Sequence, residues 1–370
     1  MAAHPGSFNL RQMIILYLSA LGGAIIGLLL IHTIPAEDPR VWLTAVFVIV
    51  AGAISLHEFG HMAGALIVGF QIFSVTFGPV EIRRESGRLR LRKSGFNLCG
   101  SVTAVPMRSH DLRRRMLVFG AAGPLSSFIC GGVAFGLGAI LPDSAAAAWA
   151  TPWGIAFFSI GALSVIPMPG FYRSDGARVW ELMRKTAEAD RSCALVSISA
   201  SALAGQRPRE WDSVLLEKAL ATQNGSGDDL LASILAYESA MDRGQFDAAE
   251  KYLEAAIQGR SKCPPNVQSG IALDAAFFQS MIQGNATVAR EWFNKCQPQH
   301  IPDRYALFMV EAAVLLSEGK ATEAQSKATQ CVIALPGARF GGFAAAAGDW
   351  VKVISERAQA QVSNATAENR

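Results

Sequence analysis

The chain has 370 residues, of which 51% are hydrophobic and 17% charged, and its formal net charge at pH 7 is +3. Soluble globular domains carry about 25% charged residues, so the composition excludes an intrinsically disordered protein and argues against a single soluble domain. The small net charge also argues against a strongly basic nucleic-acid-binding protein. Residues 1–180 hold 14 Lys and Arg against 8 Asp and Glu, whereas residues 181–370 hold 19 against 22. We therefore expect two parts of different character that join near residue 180.

Long runs without charged residues occupy the first half of the chain. About 20 apolar residues in a helix cross the roughly 30 Å hydrocarbon core of a bilayer. The runs therefore predict four transmembrane helices, near residues 13–34, 42–69, 116–140 and 152–171. The first run is longer than the apolar region of a typical signal peptide, which favours a membrane anchor.

The loop charges predict an orientation. Residues 81–115 carry ten Lys and Arg against three acids, whereas residues 142–151 carry no Lys or Arg. The positive-inside rule places residues 71–115 and everything after residue 173 in the cytoplasm. We expect an integral membrane protein of a bacterial plasma membrane, with an organelle membrane as the alternative. The basic loop would also suit contact with anionic headgroups of the bilayer.

Residues 71–106 have the alternating pattern of β-strands. Polar and apolar side chains alternate in 71–77 and 88–92, and Ser86-Gly87 lies between two such runs as a predicted turn. A further extended stretch runs over 98–105. The segment predicts a hairpin and one more strand at the cytoplasmic membrane face. Its edge either pairs with an extended peptide or the segment is a plain connector.

From about residue 181 the pattern is that of amphipathic helices. A spacing of Gly, four residues and Ala occurs three times, and the copies are Gly244 to Ala249, Gly284 to Ala289 and Gly319 to Ala324. The offsets of 40 and 35 residues lie close to the period of about 34 residues of the tetratricopeptide helix-turn-helix repeat. The segment resembles degenerate tetratricopeptide repeats, and an ordinary α-helical domain is the alternative.

The sequence His57-Glu58-Phe59-Gly60-His61 carries the most specific chemistry in the chain. Residues i and i+4 of a helix share a face, so His57 and His61 can hold one zinc ion while Glu58 deprotonates a water molecule. The motif interrupts an apolar span, where a Glu and two His cost several kcal/mol unless they face a cavity or bind something. The spacing and the location together predict a catalytic zinc site.

A catalytic zinc site needs a third protein ligand and an open position. His4, His110 and His300 lie outside the predicted spans, while His32 and Asp143 lie at the opposite membrane face. Asp175, which follows the fourth span, lies at the same depth as His57 and is the remaining candidate. The alternative is that Asp175 only caps the helix that begins at Gly176.

These residues resemble the site-2 protease family of intramembrane zinc metalloproteases. Gly123-Pro124-Leu125-Ser126-Ser127 resembles the family's Gly-Pro-x-x-Asn element, and Ser164-Val165-Ile166-Pro167 ahead of Asp175 resembles its Asn-x-x-Pro…Asp-Gly element. The resemblance implies Zn²⁺ as cofactor, Glu58 as the catalytic base and three zinc ligands, which are His57, His61 and Asp175. It implies substrate contacts for Gly123, Pro124, Ser127 and Ser164, although Ser127 and Ser164 replace Asn. The resemblance covers residues 41–180.

The function that follows is hydrolysis of a peptide bond in or near the transmembrane segment of a single-span protein, with release of a cytoplasmic product. The helical repeats would bind a protein, either a regulator or part of the substrate. One alternative is a membrane-tethered zinc protease that cleaves exposed loops and takes its third ligand from a soluble domain. The other alternative is a membrane-anchored helical-repeat scaffold with an inactive zinc site.

The predicted fold is mainly α. A polytopic membrane helix bundle with about four transmembrane helices and a small membrane-associated β segment precedes a soluble α-helical repeat domain. The predicted boundaries are an extra transmembrane helix at 1–40, the intramembrane zinc metalloprotease core at 41–180, a helical connector at 181–225, the repeat domain at 226–358 and a flexible tail at 359–370.

Overall fold

The computed structural model describes residues 25–30, 32–85, 88–93, 100–108, 110–168 and 173–368. The chain divides into two compact units, Met1–Ala189 and Asp190–Arg370, and each is described by itself. Within the described residues the chain is mainly helical, with one small antiparallel sheet.

Three helices of the first unit are long and apolar enough to cross a membrane. They are α1 (Pro39–Ile67), α2 (Leu112–Ile140) and α3 (Ala145–Val165). Each keeps large apolar side chains on its outer surface, such as Phe47, which is 65% exposed, and Leu125, which is 58% exposed. A bilayer covers such surfaces, so the exposure fits membrane helices. Most of the span predicted at 13–34 lies outside the described residues, although residues 25–30 and 32–33 are helical.

The helix ends differ from the predicted ones for local reasons. Helix α3 begins at Ala145, where the Ser144 hydroxyl accepts a hydrogen bond from Ala147 N–H. It ends at Val165, and the predicted end at residue 171 is wrong. Ile166 has the extended backbone that a following proline requires, so Pro167 stops the helix there. Helix α4 (Asp175–Met183) begins after residues 169–172, which lie outside the described residues.

The β segment forms four strands, one more than the sequence predicts. They are β1 (Phe70–Phe77), β2 (Val80–Glu85), β3 (Arg88–Lys93) and β4 (Gly100–Pro106), which pair in the order β3-β2-β1-β4. The additional turn lies at Gly78-Pro79, where Gly78 has a φ of +54° that glycine adopts without strain. All pairings are antiparallel, and β3 and β4 are the two edges.

Arg115 fixes the sheet to the end of α1. Its guanidinium donates hydrogen bonds to the carbonyl oxygens of Val68 at 2.8 Å, Gly69 at 3.2 Å and Arg108 at 2.7 Å. The first two oxygens belong to the C-terminal turn of α1 and its continuation into β1. Because Arg108 follows β4 and Phe70 pairs with Pro106, a single side chain in α2 holds the end of the sheet where β1 begins and β4 ends next to the helix that carries the His57 motif.

The second unit consists of helices and short 3₁₀ turns. Helix α5 (Ala187–Leu203) leads into it. The helices that follow are α6 (Ser213–Leu220), α7 (Gly227–Asp242), α8 (Phe246–Gly259), α9 (Pro265–Met281), α10 (Ala286–Asn294), α11 (Arg304–Ser317), α12 (Ala321–Ala334) and α13 (Gly341–Glu368).

The repeated Gly and Ala residues have the same local structure three times. Helix α7 packs on α8, α9 on α10 and α11 on α12. The glycine between the helices of each pair has a left-handed backbone, with φ of +70°, +67° and +78° at Gly244, Gly284 and Gly319. A glycine in this conformation ends a helix without a Cβ penalty. The three alanines Ala249, Ala289 and Ala324 are 0% exposed, which lets the paired helices approach closely.

Helix α13 joins distant parts of the second unit. The ring of Trp350 lies 5.2 Å from that of Phe277 in α9 and 6.5 Å from that of Phe246 in α8. Asp349 accepts a 2.7 Å hydrogen bond from Arg207, ahead of α6. The helix continues to Glu368, so most of the predicted flexible tail is helical.

A buried arginine holds the α6–α7 connection. Arg191 in α5 is 0% exposed and donates to the carbonyl oxygen of Thr222 at 2.9 Å, and to side-chain oxygens of Ser226 and Asp229. An Arg191→Met variant leaves these groups without their partner, and breaking a buried ion pair costs about 3–5 kcal/mol. We expect hydrogen exchange in residues 221–229 of the intact chain to become at least about 100-fold faster. Unchanged exchange would contradict this, and Arg209→Met at an exposed position is the control.

Candidate metal centre

The three polar residues of the motif on α1 are buried. His57 and His61 are each 6% exposed and Glu58 is 7% exposed. The two histidines are four positions apart in the helix, so their rings share one face and their centroids lie 4.9 Å apart. Buried imidazole and carboxylate groups in an apolar helix need partners, because leaving them unpaired costs several kcal/mol. The partners of the two imidazoles come from α2 and α4.

Asp175 completes a compact set of three ligand atoms. Its Oδ2 lies 3.1 Å from Nε2 of His57 and 3.3 Å from Nε2 of His61, and the two Nε2 atoms are 3.2 Å apart. Nitrogen and oxygen ligands bind zinc tetrahedrally at about 2.0–2.2 Å, which places any two of them about 3.3–3.6 Å apart. The donor set and its spacing therefore fit a zinc ion with little rearrangement. Asp175 is 30% exposed, so one side of the set is open.

Ser174, not Asp175, caps helix α4. Its hydroxyl accepts from Ala177 N–H at 3.3 Å and donates to the carbonyl oxygen of Ile166 at 2.6 Å. Asp175 is the first residue of the helix and not its N-cap. Its carboxylate contacts the two histidines instead. Gly176 packs against the end of α3, since a Cβ there would lie 1.8 Å from the carbonyl oxygen of Val165.

Each histidine uses its second ring nitrogen to contact α2. Nδ1 of His61 lies 2.9 Å from the carbonyl oxygen of Phe119, which can only accept, so this Nδ1 carries the proton. Nε2 of His61 then faces Asp175 and His57, and in the neutral ring it carries the lone pair that can bind a metal ion. Nδ1 of His57 lies 3.0 Å from Oγ of Ser127, which is 0% exposed. Such contacts orient metal-binding imidazoles and fix the tautomer that binds the ion.

Ser127→Ala removes the partner of His57 and is expected to weaken zinc binding about 10- to 100-fold, as is typical for the outer partners of metal ligands. Competition with a chelating dye of known affinity measures the change. Ser159→Ala deletes a hydroxyl that bonds only within α3 and is the control. If zinc affinity stays the same while the KM for a substrate rises, Ser127 contacts substrate as the sequence predicts and does not position His57.

Two glycines of α1 and α2 leave room for the site. A Cβ on Gly123 would lie 2.2 Å from Nε2 of His61, and a Cβ on Gly60 would lie 2.1 Å from Oγ of Ser126. Both distances are far shorter than a van der Waals contact, so any other residue would push α1 and α2 apart. Gly123 belongs to the Gly-Pro element that the resemblance assigns to substrate contact, and the structure places it against a predicted metal ligand.

Glu58 lies against the first residue of β4. A Cβ on Gly100 would lie 2.3 Å from Cγ and 2.8 Å from Oε1 of Glu58. The sheet therefore approaches the carboxylate at a position that only glycine can occupy. Among the described residues β4 is an edge strand of the sheet, so the Glu58 carboxylate lies next to a sheet edge.

The remaining residues predicted to contact substrate lie in the same part of the unit. Pro124 is buried inside α2, next to Gly123. Ser164 lies in the last turn of α3, where its hydroxyl donates to the carbonyl oxygen of Gly161 at 2.9 Å. A Cβ on Gly161 would lie 3.2 Å from Cβ of Ser127. Ser164 therefore lies one turn of α3 beyond the residue that packs against Ser127. Their contact with substrate stays a prediction.

Sequence reasoning missed two contributors to the site. The carbonyl oxygen of Phe119 has no signature in residue type, since every residue carries the same group. Gly100 follows a short extended stretch with no motif, and its importance comes from the approach of β4 to Glu58. Only the three-dimensional packing identifies either of them.

Comparison with protein families identifies the class. The sequence model of Peptidase family M50 matches residues 45–335, which is more than half of the chain. The chain belongs to this family and is a membrane metalloprotease. The match extends past the core predicted at 41–180 into the second unit. Comparisons with curated proteins and with solved structures gave no match.

Proposed function

We propose that the protein is an intramembrane zinc metalloprotease of the site-2 type, which hydrolyses a peptide bond in or near the transmembrane segment of a membrane-anchored protein. The observation that carries the proposal is the arrangement of His57, His61 and Asp175, whose ligand atoms lie 3.1–3.3 Å apart, with Glu58 in the same apolar helix as both histidines. Membership of Peptidase family M50 supports it.

His57, His61 and Asp175 would hold the zinc ion. Bound zinc supplies Lewis acidity, which lowers the pKa of a water molecule and polarises a carbonyl group. The contact of His61 with the carbonyl oxygen of Phe119 and that of His57 with Oγ of Ser127 orient both rings with Nε2 toward the metal position.

Glu58 is the proton carrier of the proposed reaction. Its carboxylate accepts one proton from the attacking water as the C–O bond forms, and donates it to the amide nitrogen as the C–N bond breaks. One water molecule is consumed, and the products are a carboxylic acid and an amine. Glu58 of α1 is buried against Gly100, which limits the directions from which a water molecule can reach its carboxylate oxygens.

A helical substrate must unwind locally before cleavage, because its carbonyl groups are already hydrogen-bonded within the helix. The edge strand β4 could bind the unwound substrate, because an edge strand offers backbone groups that can pair with an extended peptide. Gly100, at the start of that strand, contacts Glu58. A substrate strand paired with β4 would therefore pass close to the proposed base.

The location and the product follow from the charge pattern. The basic loop 81–115 supports a cytoplasmic position for the sheet, the metal site and the second unit. Cleavage would then release a cytoplasmic product, as in regulated intramembrane proteolysis. We place the protein in a bacterial plasma membrane.

The second unit is proposed to be a tetratricopeptide-like repeat domain that binds a protein regulator or the cytoplasmic part of the substrate. The support is the threefold repetition of a left-handed glycine followed by a buried alanine. Helix α13 already covers Phe277 of this unit through Trp350. A partner would therefore bind surfaces that α13 leaves open.

The membrane-tethered alternative, a protease that acts on exposed loops, needs a third metal ligand from the second unit. Asp175 lies within 3.3 Å of both histidines, which supports a third ligand from the first unit over one from the second.

Removal of zinc tests the proposed function. The purified full-length chain is expected to hold about one zinc ion and to cleave members of a panel of single-span proteins in liposomes. A chelator removes the metal and abolishes cleavage, and added zinc restores both. Asp175→Ala is expected to lose zinc, whereas Asp143→Ala, at an exposed position after α2, retains it. Zinc bound by a chain that cleaves no membrane protein would contradict the proposal.

A further inference from the structure

Helix α4 has one face that the protein covers and one that it does not. Leu182 is 1% exposed. A Cβ on Gly120 of α2 would lie 3.2 Å from Cγ2 of Val179, so Val179 packs against α2. On the other side, Trp180 is 53% exposed and Met183 is 66% exposed. Because residues three apart share a helix face, Trp180 and Met183 form one uncovered apolar surface.

Helix α4 runs beside the first turns of α2 in the opposite direction. Its first residue, Asp175, contacts His61, which in turn bonds to Phe119 of α2. Beyond its last residue, the carbonyl oxygen of Arg184 accepts a 2.9 Å hydrogen bond from Arg113, in the first turn of α2. Since α2 is long and apolar enough to cross a membrane, α4 leads from the metal site to the membrane surface.

Basic side chains gather where the two helices meet. Helix α2 begins with Leu112-Arg113-Arg114-Arg115 and has no acidic residue in its first turn. Arg184 and Lys185 follow α4, and both are exposed, as is Arg114. The guanidinium of Arg184 lies 4.7 Å above the ring of Trp180, so the charge adjoins the apolar surface. Positive charge at a helix N-terminus is unfavourable by itself, and an anion there relieves it.

We propose that Trp180, Met183, Arg114, Arg184 and Lys185 form a binding surface for an anionic phospholipid of the adjacent leaflet. The apolar pair contacts the acyl and glycerol region while the three basic side chains contact the phosphate group. Tryptophan at the headgroup level next to Arg and Lys is the usual composition of such surfaces.

The surroundings favour a lipid over an acidic peptide. Helix α2, on which α4 packs, exposes large apolar side chains farther along its length, such as Val118, which is 39% exposed, and Leu125, which is 58% exposed. A bilayer that covers those residues also reaches Trp180 and Met183, whereas a soluble peptide would have to displace lipid. The occupant therefore has both an acyl chain and a negative headgroup.

Fluorescence quenching of Trp180 in nanodiscs tests the proposal. The bilayer contains phosphatidylcholine with about one quarter phosphatidylglycerol, and bromine atoms are carried by one lipid or by the other. The Trp180 signal is the difference between the unchanged chain and Trp180→Phe. Corrected for mole fraction, brominated phosphatidylglycerol is expected to quench Trp180 about fivefold more strongly than brominated phosphatidylcholine.

Substitution of the basic residues removes the preference. The triple variant Arg114→Gln/Arg184→Gln/Lys185→Gln is expected to show equal quenching by the two lipids. The triple variant Lys251→Gln/Lys262→Gln/Lys352→Gln makes the same charge change at exposed positions of the second unit and keeps the preference. Equal quenching in the unchanged chain, no quenching by either lipid, or loss of the preference in both variants overturns the proposal. The measurement needs no substrate, so its outcome is independent of the proposed protease activity.

Discussion

The Glu58→Gln variant is expected to bind zinc as the unchanged chain does and to cleave membrane substrates at least about 1,000-fold more slowly. Glutamine has the size of glutamate and cannot accept the proton of the attacking water. None of the three ligand atoms that surround the metal position comes from Glu58, so the metal affinity has no reason to change. Cleavage of a single-span substrate in liposomes and zinc content per chain measure the two effects separately.

A matched control shows that the loss is specific to the site. Glu37→Gln makes the same chemical change at an exposed residue just before α1 and should leave both zinc content and cleavage unchanged. If Glu58→Gln retains more than about one tenth of the rate, Glu58 is not the general base. If it loses zinc as well, Glu58 contributes to the metal set.

The motif on α1 was readable from the sequence because its chemistry depends on local spacing. A helix places residues i and i+4 on one face wherever it occurs, so His57 and His61 could be paired before any fold was known. Asp175 required a further argument about depth in the membrane, and the structure brings it within 3.3 Å of both histidines. The roles of these residues as ligands stay predictions that the proposed zinc measurements test.

Contacts between elements distant in the chain could not be predicted in the same way. The contact between Ser127 and His57 joins residues 70 positions apart, and only the crossing of α1 and α2 determines it. The close approach of Gly100 to Glu58 likewise depends on the path of the sheet. The sequence does not predict β2 as a separate strand, and its pairing with both β1 and β3 becomes evident only in the structure.

The scarcity of charge in the first half has a second consequence in the structure. Charged residues are absent from most of α1, α2 and α3, so the basic residues that do occur gather at the ends of the helices. Arg115 binds three carbonyl oxygens that hold the sheet to α1, whereas its neighbour Arg114 and the residues Arg184 and Lys185 are exposed. Adjacent arginines thus differ in role, because Arg115 holds the sheet whereas Arg114 belongs to the proposed lipid-binding surface.

The Gly123→Ala variant separates a packing role from a substrate-binding role. The added Cβ would lie 2.2 Å from Nε2 of His61. Nδ1 of the same ring is hydrogen-bonded to the carbonyl oxygen of Phe119, one turn before Gly123 in α2. The ring cannot move away without losing that bond, so we expect zinc affinity to fall at least about 10- to 100-fold, and cleavage with it. Alanine favours the helix over glycine by about 1 kcal/mol, so a loss cannot arise from a weaker helix.

Gly132→Ala provides the matched control, because it lies in the same helix and a Cβ there meets nothing within 4 Å. It should leave zinc affinity unchanged, as measured by competition with a chelating dye in the same lipid. If Gly123→Ala raises the KM for a substrate while zinc affinity stays the same, Gly123 contacts substrate as the family resemblance implies. A combined loss of zinc and cleavage, absent in the control, instead assigns Gly123 to the support of His61.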